Sequence, residues 1–99
     1  MWYVINCRDM ANSAALRTAS RPAHLLRLQA LRDRGKLLLA GPYPAIDNTD
    51  PGEHGFTGSL IIAEFNSLED AERWASQDPY KLTGVYQSID VKPFKRVLP

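Results

Sequence analysis

The chain has 99 residues, enough for one hydrophobic core and one domain spanning 1–99, and too few for two. Twelve Lys and Arg against eleven Asp and Glu leave a net charge of +1. That excludes the broad basic footprint that nucleic acid or an anionic membrane surface requires. No apolar run approaches the roughly 20 residues of a membrane span. The lone Cys7 cannot form an internal disulfide. It reads as a small apolar strand residue in a chain kept in a reducing, cytoplasmic setting.

Taken in order, residues 2–8 (Trp-Tyr-Val-Ile-Asn-Cys-Arg) are aromatic and β-branched and predict a first strand. The same opening lacks the basic region and cleavage pattern of a signal peptide. Asp9 to Ala11 reads as a turn, with Asn12 or Ser13 as cap of a helix over about 13–34. The Ser20-Arg21-Pro22 step predicts a disturbance there, leaving the helix continuous, kinked or in two parts, its second part the firmer. Gly35 suits the position after the last turn. Lys36 to Gly41 is a short apolar run, expected as a second strand buried on both faces. Pro42 to Thr57, with its prolines, glycines and Asp/Asn turns, reads as a long loop. Gly58 to Phe65 is a third strand. Ser67 followed by Asp70 marks the capped start of a second helix, which ends at Gln77 before Asp78-Pro79. Pro79 to Gly84 suits a single turn. Val85 to Lys95 alternates as a fourth strand, with Pro93 implying an edge, bulge or bend.

The order β-α-β-β-α-β predicts an α+β, ferredoxin-like fold: a four-stranded antiparallel sheet with two helices on one face. Trp2, Val4, Ile61, Ile89 and Val91 supply more apolar strand surface than two helices cover. A second copy closing over the open face is therefore expected, giving a homodimer.

One helical residue stands out chemically. At 100° per residue, His24, Leu28 and Leu31 lie within about 60° of one another, so His24 sits on a stripe that must face a core or cleft. A histidine there is either a satisfied core residue or a general acid–base, since its proton exchanges near neutral pH. Asp78, at the turn after the second helix, is a candidate to hold the imidazole in one tautomer, or a simple Asp-Pro turn former. Arg21 shares the His24 side of the helix and is a candidate anion ligand, or a solvated arginine. Thr57 and Ser59 offer hydroxyls to a developing oxyanion, or merely start a strand. Tyr80 and Tyr86 line an apolar pocket or pack in the core, Phe56 after Gly55 is a candidate lid, and His54 is expected in solvent. Two metal ligands are fewer than the three of a catalytic zinc site, and no phosphate loop or serine motif is present, so neither metal nor cofactor is expected.

The segments Trp2-Tyr3-Val4-Ile5, Arg21-Pro22-Ala23-His24-Leu25, Leu38-Leu39-Ala40-Gly41-Pro42, Gly55-Phe56-Thr57-Gly58-Ser59, Ala63-Glu64-Phe65, Asp78-Pro79-Tyr80, Gly84-Val85-Tyr86 and Val91-Lys92-Pro93-Phe94-Lys95 run nearly the full length in one order. In these the chain resembles the YciI-like (YCII-related) family of the dimeric α/β-barrel group. The resemblance implies a ferredoxin-like subunit that pairs as a dimeric α/β barrel, with a His–Asp active site that falls on His24 and Asp78. Related proteins include a dehydrochlorinase of chlorinated hydroxyquinols and, more distantly, muconolactone isomerase. The function so implied is cofactor-free acid–base chemistry, elimination or isomerisation, on a small cyclic or aromatic molecule. The alternative is a non-catalytic, ligand-binding dimer using the same pocket.

Overall fold

The computed structural model describes residues 1–99. In chain order it contains β1 (Trp2–Asp9), α1 (Ala14–Asp33), β2 (Leu37–Pro44), a 3-10 turn (Gly52–His54), β3 (Phe56–Glu64), α2 (Leu68–Ser76), α3 (Pro79–Leu82) and β4 (Tyr86–Phe94). The strands form one antiparallel sheet in the order β2-β3-β1-β4. This is the expected α+β, ferredoxin-like arrangement. No helix is long and apolar enough to cross a membrane.

Period-two alternation assigns the faces of the sheet. Ile5 of β1 lies opposite Ile61 on one side and Val91 on the other. Ile5, Cys7, Ile61 and Ala63 then meet Leu28 and Leu31 of α1, Ala75 of α2 and Tyr80 of α3 in the core. Burying a side chain such as Leu28 or Ile61 contributes about 1.5–3 kcal/mol. Ile61, Ile89 and Val91 are thus taken up by the helical side. The other face carries Trp2, Val4, Leu60 and Ile62, with Leu39 and Tyr43 from β2, and no helix covers it.

Several boundaries differ from the sequence expectation. Asp9 completes β1 instead of opening a turn. β2 runs on through Pro42 to Pro44, and β3 begins at Phe56, so the long loop shrinks to Ala45–Pro51 and the 3-10 turn. Prolines are tolerated in β2 because it is an edge strand, paired only with β3. For the same reason β2 is not buried on both faces, and Leu39 and Ala40 are exposed. Pro93 likewise sits in an edge strand, β4. α1 is continuous across the interior Pro22, with Arg17, Ser20, His24, Leu28 and Leu31 buried along one line. Tertiary burial of that whole stripe outweighs the local preference of the residue before proline.

Two local devices position the site. The β1–β4 register slips between Arg8, opposite Ser88, and Asp9, opposite Tyr86, so Gln87 is an extra residue. This bulge swings Tyr86 onto the helical side, where strict alternation would place Gln87. Gly58 is required for a second reason: a Cβ there would collide with the Cys7 carbonyl oxygen of the neighbouring strand.

Candidate active site

The buried stripe of α1 changes character along its length. Its C-terminal half, Leu28 and Leu31, is apolar; its N-terminal half is Arg17, Ser20 and His24. Each of the three polar residues meets a polar partner from another element.

His24 Nδ1 lies 2.9 and 3.0 Å from the two carboxylate oxygens of Asp78. Both side chains are buried, with 8% and 3% of their surface exposed. Asp78 also caps α3: its Oδ1 accepts the Tyr80 N–H at 2.9 Å, with Pro79 in the first turn. The cap fixes the carboxylate, and the carboxylate fixes the ring. Because a carboxylate only accepts, the Nδ1–H is the donor of this contact, and Nε2 is the ring nitrogen left over. Nε2 has no protein partner, yet it is not among the polar atoms sealed off without one, which are Arg27 Nη1 and Tyr86 Oη. The His24 ring stacks on Tyr80, with centroids 4.0 Å apart and planes 15° from parallel. Tyr86 meets Tyr80 edge-on at 5.5 Å. One turn along α1, Arg27 donates to the Trp74 carbonyl at 2.8 Å and lies over the Trp74 ring. Burial lowers the Arg27 pKa, against the pull of the nearby Asp78 charge.

Ser20 Oγ lies 2.8 Å from Thr83 Oγ1. Thr83 donates its own proton to the Pro79 carbonyl, so Ser20 is the donor between the hydroxyls. Arg17 is the busiest of the three. Its Nε donates to Asp9 Oδ2 at 2.8 Å, and its Nη2 donates to the Gly58 carbonyl at 2.9 Å and to Ser59 Oγ at 2.7 Å. The guanidinium also lies 4.8 Å from the Tyr80 ring centre and 5.5 Å from that of Phe56. Burial works against the charge of Arg17, but its bonds and attraction to Asp9 hold the pKa above the usual value. Beside this network burial pushes the Cys7 thiol from 9.0 up to about 12 and raises the Tyr86 phenol further. Burial also raises the Tyr80 phenol.

The structure therefore brings together His24, Asp78, Tyr80, Tyr86 and, through Arg17, Ser59 and Phe56. It leaves two of the sequence candidates outside. Arg21 is exposed and makes no hydrogen bond or ion pair, because three residues along a helix still turn it 60° off the buried line. Thr57 is exposed at the start of β3 and lines an open cleft, as does the exposed His54. Asp9 and Arg17 are the residues that sequence reasoning missed. Extending the His24 stripe back through Pro22 would have found Arg17, seven residues upstream on the same line. Asp9 gave no such signal at the end of a strand. No third His, Cys, Asp or Glu joins His24 and Asp78 to make a metal cage.

A cleft of about 740 Å³ lies near this network but does not open directly on His24. It lies at the C-terminal end of β1, where Asp9, Ser13 and Phe56 form part of its wall. These three surround Arg17: its ion-pair partner, the cap one turn before it and the ring beneath it. Arg17 thus stands between the cleft and the Tyr80–His24 stack.

Residues 1–95 match the YCII-related domain. Protein YciI of Escherichia coli O6:H1 is 59% identical over 97 residues, covering 98% of this chain and 99% of that protein. An uncharacterized protein of Haemophilus influenzae is 52% identical over the same span. Among solved structures, 5-chloro-2-hydroxyhydroquinone dehydrochlorinase (TftG) of Burkholderia phenoliruptrix AC1100, in complex with 2,5-dihydroxybenzoquinone, superposes with a TM-score of 0.85 at 26% identity, over 98% of this chain and 96% of that one. With the match spanning nearly every residue, the chain belongs to the YCII-related family.

Proposed function

We propose that the protein is an acid–base enzyme for small cyclic or aromatic molecules, with His24 as the proton-transferring group and Asp78 as its orienting partner. The observation that carries this reading is the His24 ring: clamped at Nδ1 by both oxygens of a capped carboxylate, stacked on Tyr80, and unpartnered at Nε2. A base must keep one nitrogen free while the other is held, and this arrangement does both. The partly exposed ring of Phe56, beside Arg17, suits a planar ring. The likeness to TftG, named for dehydrochlorination of a chlorinated hydroquinone, supports elimination as the reaction class. In such a step the substrate reacts as the keto tautomer whose ring carbon carries both H and Cl: Nε2 takes a hydroxyl proton, the released pair becomes a C=O, the adjacent ring π pair shifts, and chloride leaves with the C–Cl pair. The net change is loss of HCl, with no external oxidant.

The test is turnover of 5-chloro-2-hydroxyhydroquinone and related halogenated hydroquinones, followed by chloride release. His24→Ala should lose about two to four decades of rate, the usual size of general acid–base catalysis. Full activity in that variant sinks the mechanism. A ligand that binds but emerges chemically unchanged favours the non-catalytic module instead.

We infer further that the subunit works as a homodimer. Supporting this, the uncovered sheet face is apolar at its centre, where Val4 of β1, Ile62 of β3 and the 46% exposed Leu39 of β2 lie side by side across three strands. Sedimentation should give a dimer for the unmodified chain and a monomer for Leu60→Asp. A monomer at micromolar concentration in the unmodified chain overturns the pairing.

A further inference from the structure

Arg17 is bonded like a structural strut, but its bonds do not use it up. A guanidinium has five N–H donors in a fixed fork. Nε is taken by Asp9, and Nη2 by the Gly58 carbonyl and Ser59. Nη1, with two donors, makes none of these bonds, has only the Tyr80 phenol as a further acceptor near the guanidinium, and is not among the unpartnered atoms sealed from solvent. A strut tying α1 to β1 and β3 is complete with the first three. The remaining pair is an unused, charged edge on a side chain held rigid from two sides.

The surroundings say what that edge suits. Arg17 borders the 740 Å³ cleft through Asp9, Ser13 and Phe56. On its other side its charge lies over Tyr80, the ring on which His24 stacks. The Arg17–Asp9 pair is internally neutral, so a ligand meeting Nη1 meets donors rather than a bare cation. Parallel N–H donors of this kind favour an anionic oxygen over a neutral hydroxyl.

We propose that Arg17 Nη1 is the ligand-recognition edge of the site, binding the anionic oxygen of a planar ring, a phenolate or enolate, that also meets His24 two turns along the same buried line of α1. The proposal rests on the acid–base reading and specifies its substrate class: rings that carry, or develop on deprotonation, a negative oxygen. Charge released when His24 removes a proton then collects on an oxygen already facing fixed donors, where its stabilisation requires no reorganisation. Arg17 is thereby a specificity-determining residue of the pocket, and Asp9 positions it.

The probe is 2,5-dihydroxybenzoquinone at neutral pH, an acidic quinone, set against hydroquinone as an uncharged ring of similar size. The unmodified protein should bind the quinone at least about tenfold more tightly, the scale of one charge-assisted contact. Nitrogen-15 NMR of the arginine side chains should show the Arg17 Nη1 signal moving on saturation, a response that a purely structural arginine does not give. Arg17→Lys keeps the charge facing Asp9 but lacks the fork. It should fold, as a thermal melt checks, and lose the discrimination to within about threefold. Absence of selective binding by the unmodified protein, an unmoved Arg17 signal, or selectivity retained in Arg17→Lys each overturns the proposal. His24→Asn separates the two readings. If it loses turnover but keeps the tenfold preference, both stand. If it loses the preference while Arg17→Lys keeps it, the anion is read at His24 and not at Arg17. Turnover persisting in His24→Asn removes the acid–base role without touching the Arg17 result.

Discussion

The two halves of the α1 stripe lie on one line of one helix and obey opposite economies. At the C-terminal half, Leu28 and Leu31 bury themselves against Ile61, Ala63 and Ala75, and every contact lowers the free energy of the fold. At the N-terminal half, Arg17, Ser20 and His24 are just as deeply buried but must each be stripped of water. Their hydrogen bonds to Asp9, Ser59, Thr83 and Asp78 return roughly what desolvation removes. Apolar residues in place of both members of each pair would fold about as well. A helix that buries polar groups at one end while an apolar solution is available retains them for what they do, and two of them keep an unused nitrogen, His24 Nε2 and Arg17 Nη1.

That contrast can be broken most severely at Asp9. Asp9→Ala strands the Arg17 charge in the interior and should cost about 3–5 kcal/mol in urea unfolding. The double change Asp9→Leu with Arg17→Met removes both charges and should recover most of that loss, marking the pair as dispensable to the fold. At the apolar end, Leu31→Ala opens a cavity and should cost about 2–5 kcal/mol, with no rescue available from a second substitution.

The next largest effect is one of pH. Cys7 sits beside the polar half with its folded pKa raised by burial from 9.0 to about 12. Its protonated form is favoured in the fold, so its contribution to stability is fully present below 9.0 and is lost as pH rises toward 12. At 1.36 kcal/mol per unit, about 2 kcal/mol should be gone by pH 10.5. The raised phenol of Tyr86 adds in the same direction above its own unfolded value. Unfolding measured between pH 8 and 10.5 should show this decline, and Cys7→Ala should flatten it. An equally steep decline in Cys7→Ala would assign the alkaline loss elsewhere. Smallest is Ser20→Ala, which removes the donor to Thr83 while Thr83 keeps its bond to Pro79. It should cost about 1 kcal/mol.

Much of this architecture is legible in local chemistry. The capped start of α2 needs only Ser67 and Asp70, and the bond from the Asp70 N–H to Ser67 Oγ is present at 3.1 Å. The core strands follow from alternation, and His24 from its spacing to Leu28 and Leu31. What escaped the sequence depends on the third dimension. The Pro22 step leaves the helix continuous, kinked or in two parts until the burial of the whole stripe is known, and starting that stripe at His24 hid Arg17. Leu37-Leu38-Leu39-Ala40 has the same composition whether a strand is central or at an edge, so only pairing identifies β2 as an edge. The Gln87 bulge that turns Tyr86 inward leaves no mark in composition. The closeness of His24 and Asp78, 54 residues apart, follows from the packing of α1 against α3 and from no local signal.

The central claim is that Asp78 holds the Nδ1 proton of His24 and leaves Nε2 bare for proton transfer. The nitrogen-15 shifts of the neutral His24 ring, recorded at mildly alkaline pH, report directly which nitrogen carries the proton. The account predicts the Nδ1–H tautomer in the unmodified protein, shifting toward the Nε2–H form when Asp78 is replaced by Leu. An Nε2–H tautomer in the unmodified protein would contradict it.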